Sequence, residues 1–407
     1  MADVIFAKEK INTGRQKEID LFKAFSIIMM IITHCIDDLF NYDGFLIAEI
    51  IDDQLAQIIG AQGFMICMGL GIAYSKKAAA KEHLSRGFML LVIGQLLNLL
   101  RYAIPGILIY TMTGAAESRA YVFLTFSSDI MQFAGLFLIC MALFTRLNLK
   151  PGAIFAVSVI CNIVGTLTYG RISTGSYAMD QFIGMFFFTE TESYFPLIHW
   201  MIFPAFGLLF GEIIQHVKDK RRFYLITLVP SAIVFVLYYI VELCVDQSVF
   251  TLFTEWRSFC YIRIVDAIPS IFANVAMLSL FYFLSIPVTD KQMTGVNFVS
   301  KNINRYYCTH YFFIMPLSLY LTYVNGDLFN DGKYIVIVSV IVLVLTTVVV
   351  YVYDRYLVKR FRGFFGKNKA VWISLVLALS VIASVWAYNA DADYFPNLVN
   401  DYGWERD

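Results

Sequence analysis

Long apolar runs alternate with short polar segments along the whole chain of 407 residues. Eleven of these runs are roughly 18–25 residues long, which is enough for a helix to cross about 30 Å of hydrocarbon. The runs lie at 19–38, 55–75, 87–104, 129–145, 152–170, 194–216, 223–245, 262–287, 304–324, 334–356 and 370–389. The pattern therefore predicts an all-α, polytopic integral membrane bundle of about eleven transmembrane helices.

The composition agrees with a membrane bundle, since 59% of the residues are hydrophobic and only 15% are charged. A soluble protein of this length could not cover so much apolar surface. The polar segments are short and none is large enough to fold alone, so we predict one transmembrane domain over 1–407. The net charge is zero, which gives no indication of nucleic acid as a partner.

Basic residues are concentrated on one side of the predicted membrane. The segments assigned to that side hold 23 of the 31 Lys and Arg residues. Those segments are 1–18, 76–86, 146–150, 217–222, 288–305 and 355–369. The positive-inside rule makes this side cytoplasmic. We therefore predict a multi-pass protein of the plasma membrane, with a cytoplasmic N-terminal segment 1–18 and an extracytoplasmic tail 390–407.

The longest segments assigned to the outside are 105–128, 171–193 and 246–261, and we expect them to form partly ordered caps over a cavity. Cys244 and Cys260 flank the last of them. The sequence leaves open whether these two thiols form a disulfide. Neither the cysteines nor the five widely spaced histidines suggest a metal site.

Two ionisable residues of the first predicted span, Lys23 and His34, share one helical face. They are eleven residues apart, or about 16 Å along the helix axis. Ionisable groups inside spans are costly and are functional candidates by default. We interpret Lys23 as a charge for an anionic cofactor and His34 as a base. Asp37 or Asp38, one turn later, would orient the imidazole.

The alternative interpretation is that both residues only mark the ends of the helix. Lys23 would then extend its ammonium group to the inner interface, and His34 would lie among the outer headgroups. The common face of the pair favours the functional interpretation.

Further polar side chains fall in the outer halves of other predicted spans. They are Asn98, Arg101, Asp129, Gln132, His199, Arg263 and Asp266. Each could serve packing alone, as an interhelical hydrogen bond or salt bridge. Their common depth favours a polar cavity that is open to the outside, and we predict that they bind the substrate there together with Asp37 and Asp38.

Arg305 and His310 begin the ninth predicted span, on the cytoplasmic side. Together with the basic segment 76–86 they could meet phosphate groups. Inner-leaflet headgroups would explain basic residues there equally well. We predict that Arg305 and His310 join Lys23 in binding the cofactor.

The opening helix resembles that of the transmembrane acyltransferase superfamily, which includes acyltransferase family 3 and the relatives of heparan-α-glucosaminide N-acetyltransferase. The superfamily pattern is an Asp, then a basic residue three positions later, usually Arg, and a His after ten more residues. Asp20, Lys23 and His34 match it. Lys23 keeps the charge of the Arg but lacks its bidentate fork. Similar stretches follow in the same order, at 63–71, 129–135, 194–207 and 304–310.

The resemblance implies an acyl-CoA donor, most often acetyl-CoA, on the cytoplasmic side. It also implies a carbohydrate or glycolipid acceptor with a free hydroxyl or amine, commonly outside the cell. His34 would be the general base, and Lys23 would hold the phosphate or pantetheine part of the donor. Acyl-CoA, the acceptor and membrane lipids are thus the expected partners, and no metal is expected.

A rival interpretation is a transporter or flippase of a lipid-linked sugar or similar amphiphile. Such proteins often contain internal repeats with broken helices, and no convincing repeat is present. A third interpretation, a sensor or scaffold, leaves the shared face of Lys23 and His34 unexplained. The sequence leaves open the acceptor, an acyl group other than acetyl, a covalent intermediate on His34, and a homo-oligomer.

Overall fold

A computed structural model describes most of the chain as helix. The described residues are 5–41, 45–174, 177–189, 194–244, 260–361 and 369–390. Within them the only strand-like pairings are two isolated bridges. The main helices are Lys17–Leu39 (α1), Ala61–Ala73 (α2), Ala80–Asn98 (α3), Ile104–Thr113 (α4), Ile130–Arg146 (α5), Pro151–Thr168 (α6), Tyr177–Gly184 (α7), Ile202–Gln215 (α8), Lys220–Cys244 (α9), Ile264–Ser285 (α10), Met293–Lys301 (α11), Ile303–Tyr320 (α12), Ile335–Val352 (α13) and Lys369–Ala390 (α14).

Shorter helical pieces extend or connect these helices. The π-helical pieces are Ile50–Gly60, Leu99–Ala103, Leu321–Asn325 and Tyr353–Leu357. The remaining short pieces are Leu46–Glu49, Ala116–Arg119, Ala120–Phe123, Leu124–Phe126, Leu197–Trp200 and Gly332–Tyr334.

Each of the eleven predicted spans coincides with a helix. In the described part of the chain, seven helices are long and apolar enough to cross a membrane. These are Lys17–Leu39, Ala80–Thr113, Pro151–Thr168, Leu197–Gln215, Lys220–Val241, Ile264–Ser285 and Gly332–Phe361. The all-helical, multi-pass fold is thus confirmed. The number eleven, the orientation and the single domain stay predictions, and residues 391–407 of the predicted tail lie outside the described residues.

The segments predicted as loops contain more helix than expected. The third span continues to Thr113 through the π-helical piece Leu99–Ala103 and α4, which contains Pro105. The outer segment 171–193 contains α7, and the inner segment 288–305 contains α11. Of the outer segment 246–261, only Cys260 and Tyr261 are described. Cys244 and Cys260 are both free thiols.

The first helix is the central element of the bundle. It packs against α2, α10, α11, α12 and α13. Its side chains Phe22, Ile27, Ile31 and Ile36 are completely buried. Because helices surround α1, its buried polar residues, such as Asp20 and Ser26, lie at helix–helix interfaces.

Glycines bring two pairs of helices into close contact. A Cβ atom on Gly69 of α2 would lie 2.0 Å from the Pro204 carbonyl oxygen, and one on Gly207 of α8 would lie 2.1 Å from the Ile66 carbonyl oxygen. Helices α3 and α5 meet in the same way at Gly87 and Gly135. Small residues are a common means of packing membrane helices. The contact between α3 and α5 fixes the position of Arg101, which follows α3, relative to Asp129, which precedes α5.

Residues 5–16 run across one end of the bundle before α1 begins. Phe6 forms an antiparallel bridge with Val217, and the amide of Ala7 donates to the carbonyl of His216 at 2.7 Å. Lys10 forms an ion pair with Glu212. This N-terminal segment therefore forms a wall beside the start of α1.

Candidate active site

A cavity of about 850 Å³ lies at the start of α1, against the N-terminal segment. Lys23 lines it together with Arg15, Lys76 and Lys301. Asp20 is its one acidic lining residue among those described. The cavity thus combines α1 with several of the basic segments that the sequence assigns to the cytoplasm.

The charges of this cavity are only partly compensated. The Asp20 carboxylate already has two partners, because Arg15 forms an ion pair with it and Ser300 donates a hydrogen bond to it at 2.5 Å. Within the described part of the chain, Lys23, Lys76 and Lys301 have no carboxylate partner. The cavity therefore has an excess of positive charge.

The donor implied by the sequence fits this cavity in size and charge. Ligand pockets are typically about 300–1,000 Å³. Coenzyme A carries phosphate groups, which lysine ammonium groups bind as point charges. Lys23 lies next to Gly71, where a Cβ atom would be 3.6 Å from the ammonium nitrogen. The residues present thus suit a phosphate-bearing ligand.

A second group of polar residues surrounds His34, further along α1. The hydroxyl oxygen of Tyr311 lies 2.9 Å from His34 Nε2. The ring of His310 stacks on the His34 ring, with centroids 5.4 Å apart and an angle of 23° between the planes. His310 Nδ1 lies 3.1 Å from the Tyr306 carbonyl oxygen and must donate to it. Consecutive side chains of α12 therefore hold the His34 imidazole.

A buried ion pair between Arg101 and Asp129 adjoins this group. The two residues are only 2% and 7% exposed. Asp129 is the N-cap of α5, where it accepts from the Ile130 amide, and it also accepts from the Tyr307 hydroxyl at 2.7 Å. The Arg101 guanidinium lies over the Tyr311 ring, 4.6 Å from its centroid. Buried ion pairs need such additional partners to offset their desolvation.

The structure thus brings His34, Arg101 and Asp129 together, as their predicted common depth suggested. We call these three residues with His310, Tyr307 and Tyr311 the His34 cluster. Asp38, one turn beyond His34, is partly exposed and interacts electrostatically with Arg101 and Asp129. Asp37 is exposed.

The other predicted substrate-binding residues make contacts that join helices. Asn98 donates to the carbonyl groups of Thr125 and Ser127, at 3.2 and 3.0 Å. Gln132, on α5, packs against Gly94 of α3. Asn98 therefore joins α3 to the segment that precedes α5, and Gln132 joins α5 to α3.

His199 packs against a neighbouring helix, whereas Arg263 and Asp266 bind each other. The ring of His199 lies against Gly165 of α6. Arg263 donates to Asp266 at 2.9 Å, and Tyr238 of α9 donates to the same carboxylate at 3.0 Å. Asp266 therefore links α9 to α10.

The two predicted cofactor-binding residues of α12 lie away from the basic cavity. Arg305 is paired with Asp354, and its guanidinium lies over the Tyr353 ring. His310 is in the His34 cluster. Helix α11 occupies the segment read as a loop and ends beside the first turn of α1, where Ser300 contacts Asp20. From there α12 packs along α1, so that His310 reaches His34.

Tyr307 and Tyr311 were missed by the sequence analysis. Aromatic residues four positions apart on a helix usually indicate a packed face, and nothing in this spacing distinguishes these two. The one general rule that points to these two residues is that a buried Tyr hydroxyl needs a hydrogen-bond partner. Tyr307 lies within the polar string 304–310, and Tyr311 follows that string directly.

Comparison with known proteins places the chain in a family. A family model described as heparan-alpha-glucosaminide N-acetyltransferase, catalytic, matches residues 15–242, which include Lys23, His34, Arg101 and Asp129. The match supports neither a relation to acyltransferase family 3 in particular nor the transporter interpretation. No curated protein and no solved structure gives a significant match. Because more than half of the chain is matched, this multi-pass membrane protein belongs to the heparan-alpha-glucosaminide N-acetyltransferase catalytic family, a family of acetyltransferases.

Proposed function

We propose that the protein transfers an acetyl group from cytosolic acetyl-CoA to a hydroxyl or amine of an extracytoplasmic or lipid-linked carbohydrate, at the plasma membrane. One observation carries the proposal. Helix α1 contributes Lys23 to a basic cavity and, about 16 Å further along its axis, contributes His34 to a buried polar cluster. One helix thus joins a site suited to an anionic donor to a site suited to proton transfer.

Lys23, Lys76 and Lys301 would bind the phosphates of the donor. Their side of the bundle is the one with the Lys- and Arg-rich segments, which supports a cytosolic donor. Acetyl-CoA supplies an activated acetyl thioester. To bring that thioester to His34, the donor has to extend along α1 from the cavity.

His34 would act as the general base. It takes the proton of the acceptor as the acceptor oxygen or nitrogen bonds to the acetyl carbon. When the carbon–sulfur bond breaks, the same proton passes to the departing thiolate. An imidazole suits both transfers because its ordinary pKa lies near neutrality.

The acceptor would bind on the side of His34 where Asp37 and Asp38 lie. Arg101 and Asp129 provide fixed, paired charges next to the reacting groups, and such prearranged charges stabilise charge that develops in a reaction. Asn98, Gln132, His199, Arg263 and Asp266 stay predictions as acceptor ligands.

The test is an acetyl-transfer assay with purified protein. Radiolabelled acetyl-CoA is offered with glucosamine as an amine acceptor and methyl glucoside as a hydroxyl acceptor. We expect label on at least one sugar with the wild type, a large loss with His34→Ala, and weaker donor binding with Lys23→Ala. Equal transfer by the wild type and His34→Ala would exclude His34 as the base, and no transfer to either sugar by the wild type would refute the proposal for these acceptor classes.

A further inference from the structure

We infer that Tyr311 is the positioning residue of His34, and that its hydroxyl group holds the imidazole in the orientation in which it takes the acceptor proton. The inference rests on the proposed function, since it concerns how His34 acts as a base. The Tyr311 oxygen lies 2.9 Å from Nε2 and 3.4 Å from Nδ1. Because the oxygen is within 3.4 Å of both nitrogens, it lies against the ring and not in line with one N–H bond, so it fixes the position of the ring without selecting a tautomer.

The Tyr311 ring has little freedom to move. It is only 5% exposed. The Arg101 guanidinium covers one part of the ring at 4.6 Å, and the His310 ring lies 4.2 Å away between centroids. Tyr307 contacts it edge-on at 5.6 Å. The hydroxyl group is therefore a fixed point against which the imidazole can be held.

The imidazole itself is held from a second direction. The His310 ring stacks on it, and the Nδ1–H of His310 is bound to the Tyr306 carbonyl. Rotation of the His34 ring would break the contact with the Tyr311 hydroxyl and disturb this stack. The two contacts together define one orientation of His34.

A base has to keep one nitrogen lone pair for the acceptor. A neutral imidazole has one N–H and one lone pair, and a hydroxyl group can both donate and accept. The Tyr311 hydroxyl can therefore stay in contact with His34 before and after the imidazole takes a proton. The ring then need not turn during the reaction.

The sequence places Tyr311 directly after a stretch that resembles the superfamily, and the family match ends at residue 242. Its role therefore comes from the geometry of α1 against α12. The opposing side chain of α1 is His34, and the two helices pack directly against each other. The contact gives the His34 base a partner that comes from outside the matched region.

The first experiment removes only the hydroxyl group, with Tyr311→Phe. We expect kcat for acetyl transfer to glucosamine to fall roughly 10- to 100-fold, because a base that loses its orientation loses part of its contribution. The KM values for acetyl-CoA and glucosamine should change less than about twofold. Tyr306→Phe is the matched control. It removes a hydroxyl from the same helix, bound to Thr347 at 3.2 Å, and should leave kcat unchanged.

A double-mutant cycle separates positioning from a general structural effect. In the His34→Ala background, Tyr311→Phe should cause no further loss, because the group that it positions is gone. An equal loss in both backgrounds would show that Tyr311 acts independently of His34. A raised acceptor KM with unchanged kcat would show that Tyr311 binds the acceptor. Wild-type kcat in Tyr311→Phe would also overturn the inference.

Acetyl-CoA binding, at the other end of α1, reports whether each variant is folded. Should Tyr311→Phe lose this binding, difluorotyrosine at position 311 nearly retains the size of the ring and changes the hydrogen-bonding strength of the hydroxyl group. We then expect kcat to fall without a change in donor binding, and an unchanged kcat overturns the inference. If the wild type transfers no label to either sugar, the proposed function fails; if the wild type is active and Tyr311→Phe equals it, this inference alone fails.

Discussion

The two polar regions of α1 differ in how their charges are compensated. Around Lys23 the cavity is open, and Lys23, Lys76 and Lys301 have no carboxylate partner among the described residues. Around His34 the charges are buried, and Arg101 is paired with Asp129. The difference indicates two separate roles, ligand binding and catalysis. An uncompensated site binds a ligand that brings its own negative charge, whereas a compensated one keeps its groups in place for a reaction.

The largest effect should come from His34→Ala. General-base catalysis typically contributes about 10²- to 10⁴-fold, so we expect kcat to fall by that factor. Donor binding should be nearly intact, because Lys23 and its cavity are about 16 Å away along α1. Steady-state transfer of radiolabel and equilibrium binding of acetyl-CoA provide the two measurements. A parallel loss of donor binding would mean that the two regions are not separable.

The next largest effect should come from removing one charge of the buried ion pair in the His34 cluster. Asp129→Ala leaves Arg101 buried without its carboxylate, which should destabilise the protein by about 3–5 kcal/mol. The double variant Arg101→Met with Asp129→Leu removes both charges and should cost much less. Unfolding in mixed micelles measures both. If the double variant is as unstable as the single one, the ion pair is not what holds this region together.

The sequence predicted the common face of Lys23 and His34 because helical periodicity places residues eleven apart on one side. It also predicted that Arg101 and Asp129 lie at the depth of His34, from the order of the spans alone. It did not predict which groups pair. Pairing depends on how α3, α5 and α12 pack around α1, and sequence spacing within one helix does not contain that information.

His310 illustrates the limit of reading depth from topology. A helix that follows a cytoplasmic loop was expected to begin at the membrane surface, which put Arg305 and His310 near the donor. Helix α11 ends beside the first turn of α1, with Ser300 bonded to Asp20, and α12 then runs along α1. His310 lies two turns into α12, about 10 Å from its start, and therefore reaches His34. The depth of a residue depends on how far it lies along its helix, and not only on the side from which the helix starts.

The open cavity can be tested through Lys23. We expect Lys23→Ala to raise the KM for acetyl-CoA roughly tenfold, as expected for the loss of one charge-assisted contact to a phosphate. The kcat at saturating donor should change little, because His34 is untouched. Lys23→Arg restores the residue that is usual in the superfamily pattern and should keep donor binding. A fall in kcat with unchanged KM would assign Lys23 to the reaction instead.

The smallest effect should separate an uncompensated cation from a compensated one on neighbouring helices. Lys301 ends α11 and lines the cavity, whereas Arg305 lies in the first turn of α12 and is paired with Asp354. Lys301→Ala should raise the donor KM about threefold, and added salt should reduce that difference by screening the exposed ammonium group. Arg305→Ala should leave the donor KM unchanged, because its charge is already paired with Asp354 of the π-helical piece Tyr353–Leu357. If Arg305→Ala weakens donor binding as much as Lys301→Ala, then a paired cation also serves the donor, and compensation does not distinguish the two regions.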